Sequence, residues 1–158
     1  MPVSPADFAK LSFAENLSPA GVERLAAIAS ERAYPAGTVV FREGRQNEDL
    51  MFICSGGIAL DMRVPRRGEV RIQSLGPGDL LAWSALLGQR KMTATATALE
   101  ATRVFAIPAS AFQQLCQADP ELGYQLMHAA ARALANRLVC TRLQLLDLFA
   151  ETMPAKST

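Results

Sequence analysis

The chain is poor in the residues on which most catalytic and metal chemistry rests. Its 158 residues hold one histidine, His128, and three cysteines, Cys54, Cys116 and Cys140. The cysteines are odd in number, far apart and in no Cys-x-x-Cys pair, so neither a disulfide framework nor a zinc site is signalled, and a reducing compartment fits. Charge of one sign is also lacking: 16 basic against 15 acidic residues leave +1, which excludes a whole-molecule electrostatic footprint for nucleic acid or anionic membrane. No basic start leads into an apolar run, and no stretch of about 18 apolar residues exists that could span a bilayer. A cytoplasmic protein is expected. Half the residues are hydrophobic, and the length suits one domain with a sizeable core and one appended element.

What is present divides into three textures. Ser18 before Pro19 predicts a helix N-cap, and Val22, Leu25, Ala26 and Ala29 follow at helical spacing, so one short helix should end near Ser30. From Arg32 short β-rich runs take over: 38–41, 50–54, 58–64, 70–75, 94–99 and 104–107. Pro35-Ala36-Gly37, Ser55-Gly56-Gly57, Pro65-Arg66-Arg67-Gly68 and Gly76-Pro77-Gly78-Asp79 stand between them. Strands this short, punctuated about every ten residues, predict a sandwich or jelly-roll barrel, not a parallel sheet with crossover helices. The arginines around the 64–71 turn, Arg63, Arg66, Arg67 and Arg71, read as the charge decoration of a solvated hairpin.

After Ile107 the pattern turns helical. Residues 108–117 predict a short helix, and Asp119-Pro120-Glu121 supplies a capping carboxylate, a first-turn proline and an acid favoured by the helix dipole. To about Ala150 only Gly123 interrupts. Tyr124, Met127, Ala131, Leu134, Leu138, Thr141, Leu145 and Leu148 keep a three-four spacing, a heptad seam on a helix about 40 Å long. Such a stripe must be buried, either on its own barrel or on a second copy of the helix, and a run of about four heptads favours the second copy. The dimer contacts expected are Met127, Leu134, Leu138, Thr141, Leu145 and Leu148. Arg132, Arg137 and Arg142 balance Asp119, Glu121 and Asp147, so the helix carries no basic stripe.

A small helix, a jelly roll and a long dimerising helix resemble the effector domain of the catabolite-activator (Crp/Fnr) superfamily, a cyclic-nucleotide-binding domain. The matching residues are 35–44 (PAGTVVFREG), 53–60 (ICSGGIAL), Leu75-Gly76-Pro77-Gly78-Asp79, Ser84-Ala85-Leu86-Leu87 and 93–98 (TATATA). The resemblance spans about Leu17 to Phe149. It implies a double-stranded β-helix (jelly-roll) barrel with a short N-terminal helix, a short cassette helix and a long C-terminal dimerisation helix. The expected divisions are a lead segment 1–16, the barrel 17–118, the long helix 119–150 and a tail 151–158.

In that family the segment equivalent to Gly76–Ala98 is the phosphate-binding cassette, where backbone N–H groups at a helix start receive the cyclic phosphate. By resemblance the ligand residues are Gly78, Leu81, Ala82, Trp83, Ser84, Met92 and Thr93, with Leu81–Ser84 at the helix start. Ligand-binding members add a glutamate for the ribose hydroxyl and an arginine for the phosphate. Here Trp83 stands in the glutamate's place and Met92 in the arginine's. Two charge-assisted hydrogen bonds, about 1.5 to 3 kcal/mol each, are thereby lost, so any cyclic nucleotide or other small anionic effector is expected to bind weakly. Arg90 and Lys91, just before Met92, are alternative cations. Trp83 either fills part of the pocket or plugs the core. On the long helix, Thr141 and Arg142 align with a base-contacting threonine-serine pair, Thr141 serving equally well to set helix register.

Other chemistry finds little support. Metal-dependent jelly-roll enzymes need several converging histidines, the family's iron-sulfur sensors need clustered N-terminal cysteines, and no nucleophile-base-carboxylate set is suggested. No metal site and no catalytic residue are expected. The family's winged helix-turn-helix needs about 60 to 80 residues beyond the long helix, whereas the sequence stops at Thr158, so direct DNA binding is not expected. The leading expectation is a stand-alone, homodimeric, cyclic-nucleotide-binding-like regulatory module with a degenerate cassette, signalling through its long helix to an unknown protein partner. The alternatives are a transcription-regulatory protein acting on DNA through a partner or heterodimer, and a ligand-free structural dimer.

Overall fold

A computed structural model describes residues 1–88 and 91–152. Two four-stranded antiparallel sheets face each other. One has the order β1-β8-β3-β6 and the other β2-β7-β4-β5, with β1 Ser30–Tyr34, β2 Val39–Phe41, β3 Asp49–Ser55, β4 Ile58–Val64, β5 Gly68–Leu75, β6 Leu80–Leu81, β7 Thr95–Ala98 and β8 Thr102–Pro108. This is the jelly-roll arrangement expected from the punctuated short strands. Helices α1 (Pro5–Phe8), α2 (Pro19–Ile28), α3 (Ala109–Ala118) and α4 (Pro120–Thr152) flank the barrel.

Strands β3 and β8 are covered on both faces, which is why they read as continuous apolar runs. Leu50, Phe52, Phe105 and Ile107 point toward the helices, while Met51, Ile53, Val104 and Ala106 point into the space between the sheets. The helical layer brings Leu25, Phe112, Leu122 and Leu126 against the first set. Residues 1–16 belong to this same core: Phe8 is fully buried, its ring 5.8 Å from that of Phe52 and 5.9 Å from that of Phe105, and Phe13 lies 4.7 Å from Phe52. The segment's α1 and the 3-10 turn Ser12–Ala14 carry too few periodic residues to be seen in sequence.

The predicted caps are in place. Ser18 Oγ accepts from Gly21 N–H at 3.1 Å, opening α2, and Asp119 Oδ1 accepts from Leu122 N–H at 3.2 Å, opening α4. One boundary shifts, and a strand absent from the expected runs precedes them. The short helix stops at Ile28 and Ser30 already starts β1, a strand of half-buried polar residues whose register comes from pairing with β8 (Arg32 opposite Val104) and not from its own alternation. At Gly56 only glycine fits: φ is +89°, and an added Cβ would lie 2.5 Å from the Ala101 carbonyl oxygen.

Candidate cassette pocket

The cassette begins at the Gly76–Asp79 bend. Asp79 folds back so that its Oδ2 accepts from Gly76 N–H at 2.8 Å, and Gly78 N–H donates to the Ile53 carbonyl at 2.7 Å, which pins the bend to β3. The chain then forms β6 before any helical turn. Leu81 therefore does not sit at a helix start as expected; it pairs with Met51 and is buried between the sheets. Two apolar residues facing a preformed strand gain more from pairing than from starting a helix. Ala82 next adopts a left-handed conformation, φ 62°, unfavourable for a residue with a Cβ, and redirects the chain into the 3-10 helix Trp83–Leu87, which ends at Gly88. Gln113 of α3 steadies it by donating to the Leu86 carbonyl at 3.1 Å.

The far wall comes from the segment around Met92, whose side chain is buried and whose backbone is clamped by Arg45 and Gly44: Met92 N–H donates to the Arg45 carbonyl at 2.9 Å and Gly44 N–H to the Met92 carbonyl at 2.8 Å. Between the walls lies a cavity of about 30 Å³ bordered by Phe41, Leu60, Leu81, Ala82, Trp83, Ser84, Met92, Thr93, Ala94 and Arg137. The structure thus gathers Leu81, Ala82, Trp83, Ser84, Met92 and Thr93 around one space. Gly78 is outside it, bordering a separate cleft of about 270 Å³ between the bend, β5 and α4. Thr141 and Arg142 are outside it too. Thr141 Oγ1 donates to the Arg137 carbonyl one turn back, at 2.9 Å, and Arg142 is exposed. Lys91 is exposed, and Arg90 lies outside the described residues.

Arg137 was not singled out as a site residue from the sequence. It reaches from α4 across the cassette, borders both spaces, and its Nη2 donates to the carbonyl of Leu80. Desolvation draws its guanidinium below the ordinary arginine range, with Asp79 and Cys140 nearby acting the other way; it remains charged. Its place one helical turn before Thr141 puts both on the same face, a signal that could have found it. Among the described residues no carboxylate oxygen lies within 4 Å of it.

Beyond the cassette, α4 has two apolar lines. Leu122, Leu126 and Ala130 are buried against the helical layer. Tyr124, Met127, Leu138, Leu145 and Leu148, all from the heptad seam, are exposed. Gly123 permits α3 and α4 to touch, since an added Cβ would lie 2.6 Å from the Cys116 carbonyl oxygen. Among the described residues no helix is long and apolar enough to cross a membrane, and no three His, Cys, Asp or Glu side chains are placed to hold a metal ion.

A jelly roll of this topology, a glycine-bend cassette against β3 and a long helix closing over it define the cyclic nucleotide-binding domains, whose sequence profile matches residues 31–119. The chain belongs to the cyclic nucleotide-binding domain family. It is 29% identical over 119 residues to the cyclic AMP receptor protein of Thermus thermophilus, covering 75% of this chain and 55% of the receptor. The catabolite activator protein structure of the same organism superposes with a TM-score of 0.70 at 28% identity, over 93% of this chain and 63% of that one. A cyclic nucleotide-binding domain from Methylobacillus flagellatus gives a TM-score of 0.81 at 19% identity, over 96% and 84%, a likeness of fold alone. The chain thus spans little more than half the length of the curated receptor it matches.

Proposed function

We propose that the chain is a homodimeric regulatory module, not an enzyme, in which a degenerate cassette receives a small anionic effector weakly and α4 carries the response to a protein partner. The exposed seam of α4 supports this reading most directly. Met127 is 42% exposed, Leu138 51%, Leu145 50% and Leu148 58%, although the helix already has a separate apolar line buried against its own domain. A row of leucines in water is stabilised by burial against a second copy of itself. The mechanism is population shift: an effector held between cassette and helix favours one arrangement of the helix pair.

Degeneracy rests on chemistry and size. Trp83 and Met92 offer no hydrogen-bonded charge, and a cavity of about 30 Å³ has room for about two waters, far below the ~300 Å³ at which ligand pockets begin. Titration calorimetry with cAMP and cGMP tests this. Affinity weaker than micromolar is expected, and micromolar or tighter binding of either overturns the degenerate cassette. The small, largely apolar cavity also favours a second reading, a structural dimer that binds no effector, which predicts no heat with either nucleotide and an unchanged dimer.

A further inference from the structure

Beyond Thr141 the long helix stands clear of its own barrel: residues 142–151 are exposed on every face. So short a projecting segment is marginal as a helix in water unless other groups pack against it. It is apolar on two sides. Leu138, Leu145 and Leu148 of the heptad seam form one. Val139, Leu143 and Leu146, which are 52%, 56% and 61% exposed, form the other with Ala150, again at four-three-four spacing. At about 100° per residue the centre of this second stripe lies about 150° round the helix from the centre of the seam, so pairing through the seam leaves it in water. A helix apolar on both sides is a helix that is covered on both.

The edges of the stripe are charged and opposite in sign. Arg142 stands about 70° to one side of its centre and Asp147 about 70° to the other, the places from which side chains reach across a helix pair and select the partner. Among the described residues neither is in an ion pair. We propose that Val139, Leu143, Leu146 and Ala150 form a docking surface for an amphipathic helix of another protein, whose own apolar line is edged by acidic residues on one side and basic residues on the other. A further copy of this chain fits worse. A parallel copy on this stripe, added to one on the seam, repeats without closing into an open array. An antiparallel copy sets the Arg142 edge against that of Phe149 and the Asp147 edge against that of Cys140, which leaves both charges unmatched. A lipid surface fits worse still, since it calls for a basic face that one arginine opposed by an aspartate does not make. Three aliphatic side chains are few beside the interface of a stable complex, but a dimer carries two such stripes related by its two-fold axis, so a partner that is itself dimeric gains by engaging both. The surface rests on the reading of α4 as the response element and gives that element the kind of partner it meets.

The probe is a labelled helical peptide of about three heptads, with leucine along its apolar line, glutamate on one edge and lysine on the other. A second peptide carries glutamate on both edges. Fluorescence anisotropy with the intact chain should show saturable binding of the mixed-edge peptide, with the all-glutamate peptide at least ~3-fold weaker. Asp147→Arg makes both edges of the stripe basic and should reverse that order. Leu143→Asp combined with Leu146→Asp should raise the half-saturating concentration at least ~10-fold while the chain stays dimeric, and Leu138→Asp combined with Leu145→Asp should leave it within ~3-fold. The inference is overturned by a mixed-edge peptide that does not saturate by ~1 mM, by an order of peptides that Asp147→Arg leaves unchanged, or by undiminished binding to the Leu143, Leu146 variant. It is equally overturned if that variant becomes a monomer, which assigns the stripe to a second copy, or if wild type and not the variant binds phosphatidylcholine vesicles, which assigns it to lipid. A dimer that binds neither peptide sinks this inference and leaves the dimeric reading intact; a monomer that binds the mixed-edge peptide through Leu143 and Leu146 does the reverse.

Discussion

Replacing Leu138 and Leu145 together by aspartate should abolish self-association of the chain while leaving its fold intact. Complete burial of a leucine side chain is worth about 1.5 to 3 kcal/mol. Leu138 and Leu145 are 51% and 50% exposed in the single chain, so pairing of the helices can still remove about half of each from water, roughly 1 kcal/mol per side chain. Two positions in two protomers make about 4 kcal/mol, or about a thousandfold in dissociation constant, and a buried aspartate in the seam adds to the loss. Light scattering coupled to size exclusion checks it: wild type should run at twice the 17.0 kDa chain mass, the double variant at the chain mass, with equal helical circular dichroism. Leu146→Asp is the control, because Leu146 is 61% exposed yet lies off the three-four line. A wild-type monomer at ~10 µM, or a double variant that stays dimeric, refutes the reasoning.

Three further outcomes follow from the packing and the charges. Phe8→Ala should cost about 3 to 5 kcal/mol in urea unfolding, because the ring is fully buried among Phe52 and Phe105; a loss below ~1 kcal/mol would mean that the lead segment is not part of the core. Burial pushes the Cys54 thiol up to about 11, whereas Cys140 is exposed, so a thiol reagent at neutral pH should modify Cys140 first and half-buried Cys54 more slowly, with peptide mapping as the readout. The hydrogen bond from Arg103 holds the Glu31 carboxyl below its usual range, and Ser4, with Lys10, does the same for Asp7. Groups depressed in the folded state stabilise it above their unfolded pKa, about 4, and lose that contribution as the pH falls through the folded value. The urea midpoint should therefore drop between pH 6 and pH 3, and less steeply in Glu31→Gln.

Much of the barrel is legible in the sequence because its signals are local. The proline and glycine bends, the Ser18 and Asp119 caps and the doubly buried runs of β3 and β8 each depend on a few adjacent residues. What escapes is what other segments impose. Strand β1 is polar and half-buried, and it extends because β8 offers a row of partners. Leu81 leaves the helix start for β6 because Met51 is waiting across the ladder. At the site, Trp83, Ser84, Met92 and Thr93 could be named in advance from the cassette pattern. Arg137, 45 residues beyond Met92 along the chain, shares a helix face with Thr141, but only the crossing of that helix over the cassette brings it to them.

The amino-acid order alone pointed to the kind of molecule: a punctuated β barrel with a long helix after it, one histidine and a formal charge of only +1. Those properties follow from which residues are neighbours in the chain and how often apolar ones recur. The folded structure alone settled that the cassette space is small, that most of the heptad seam of α4 faces water while a second line of the same helix is buried, and that Arg137 of that helix borders the same space as Trp83 and Met92. Each of these depends on distances between segments remote in sequence, which packing of the whole core sets and no local pattern encodes.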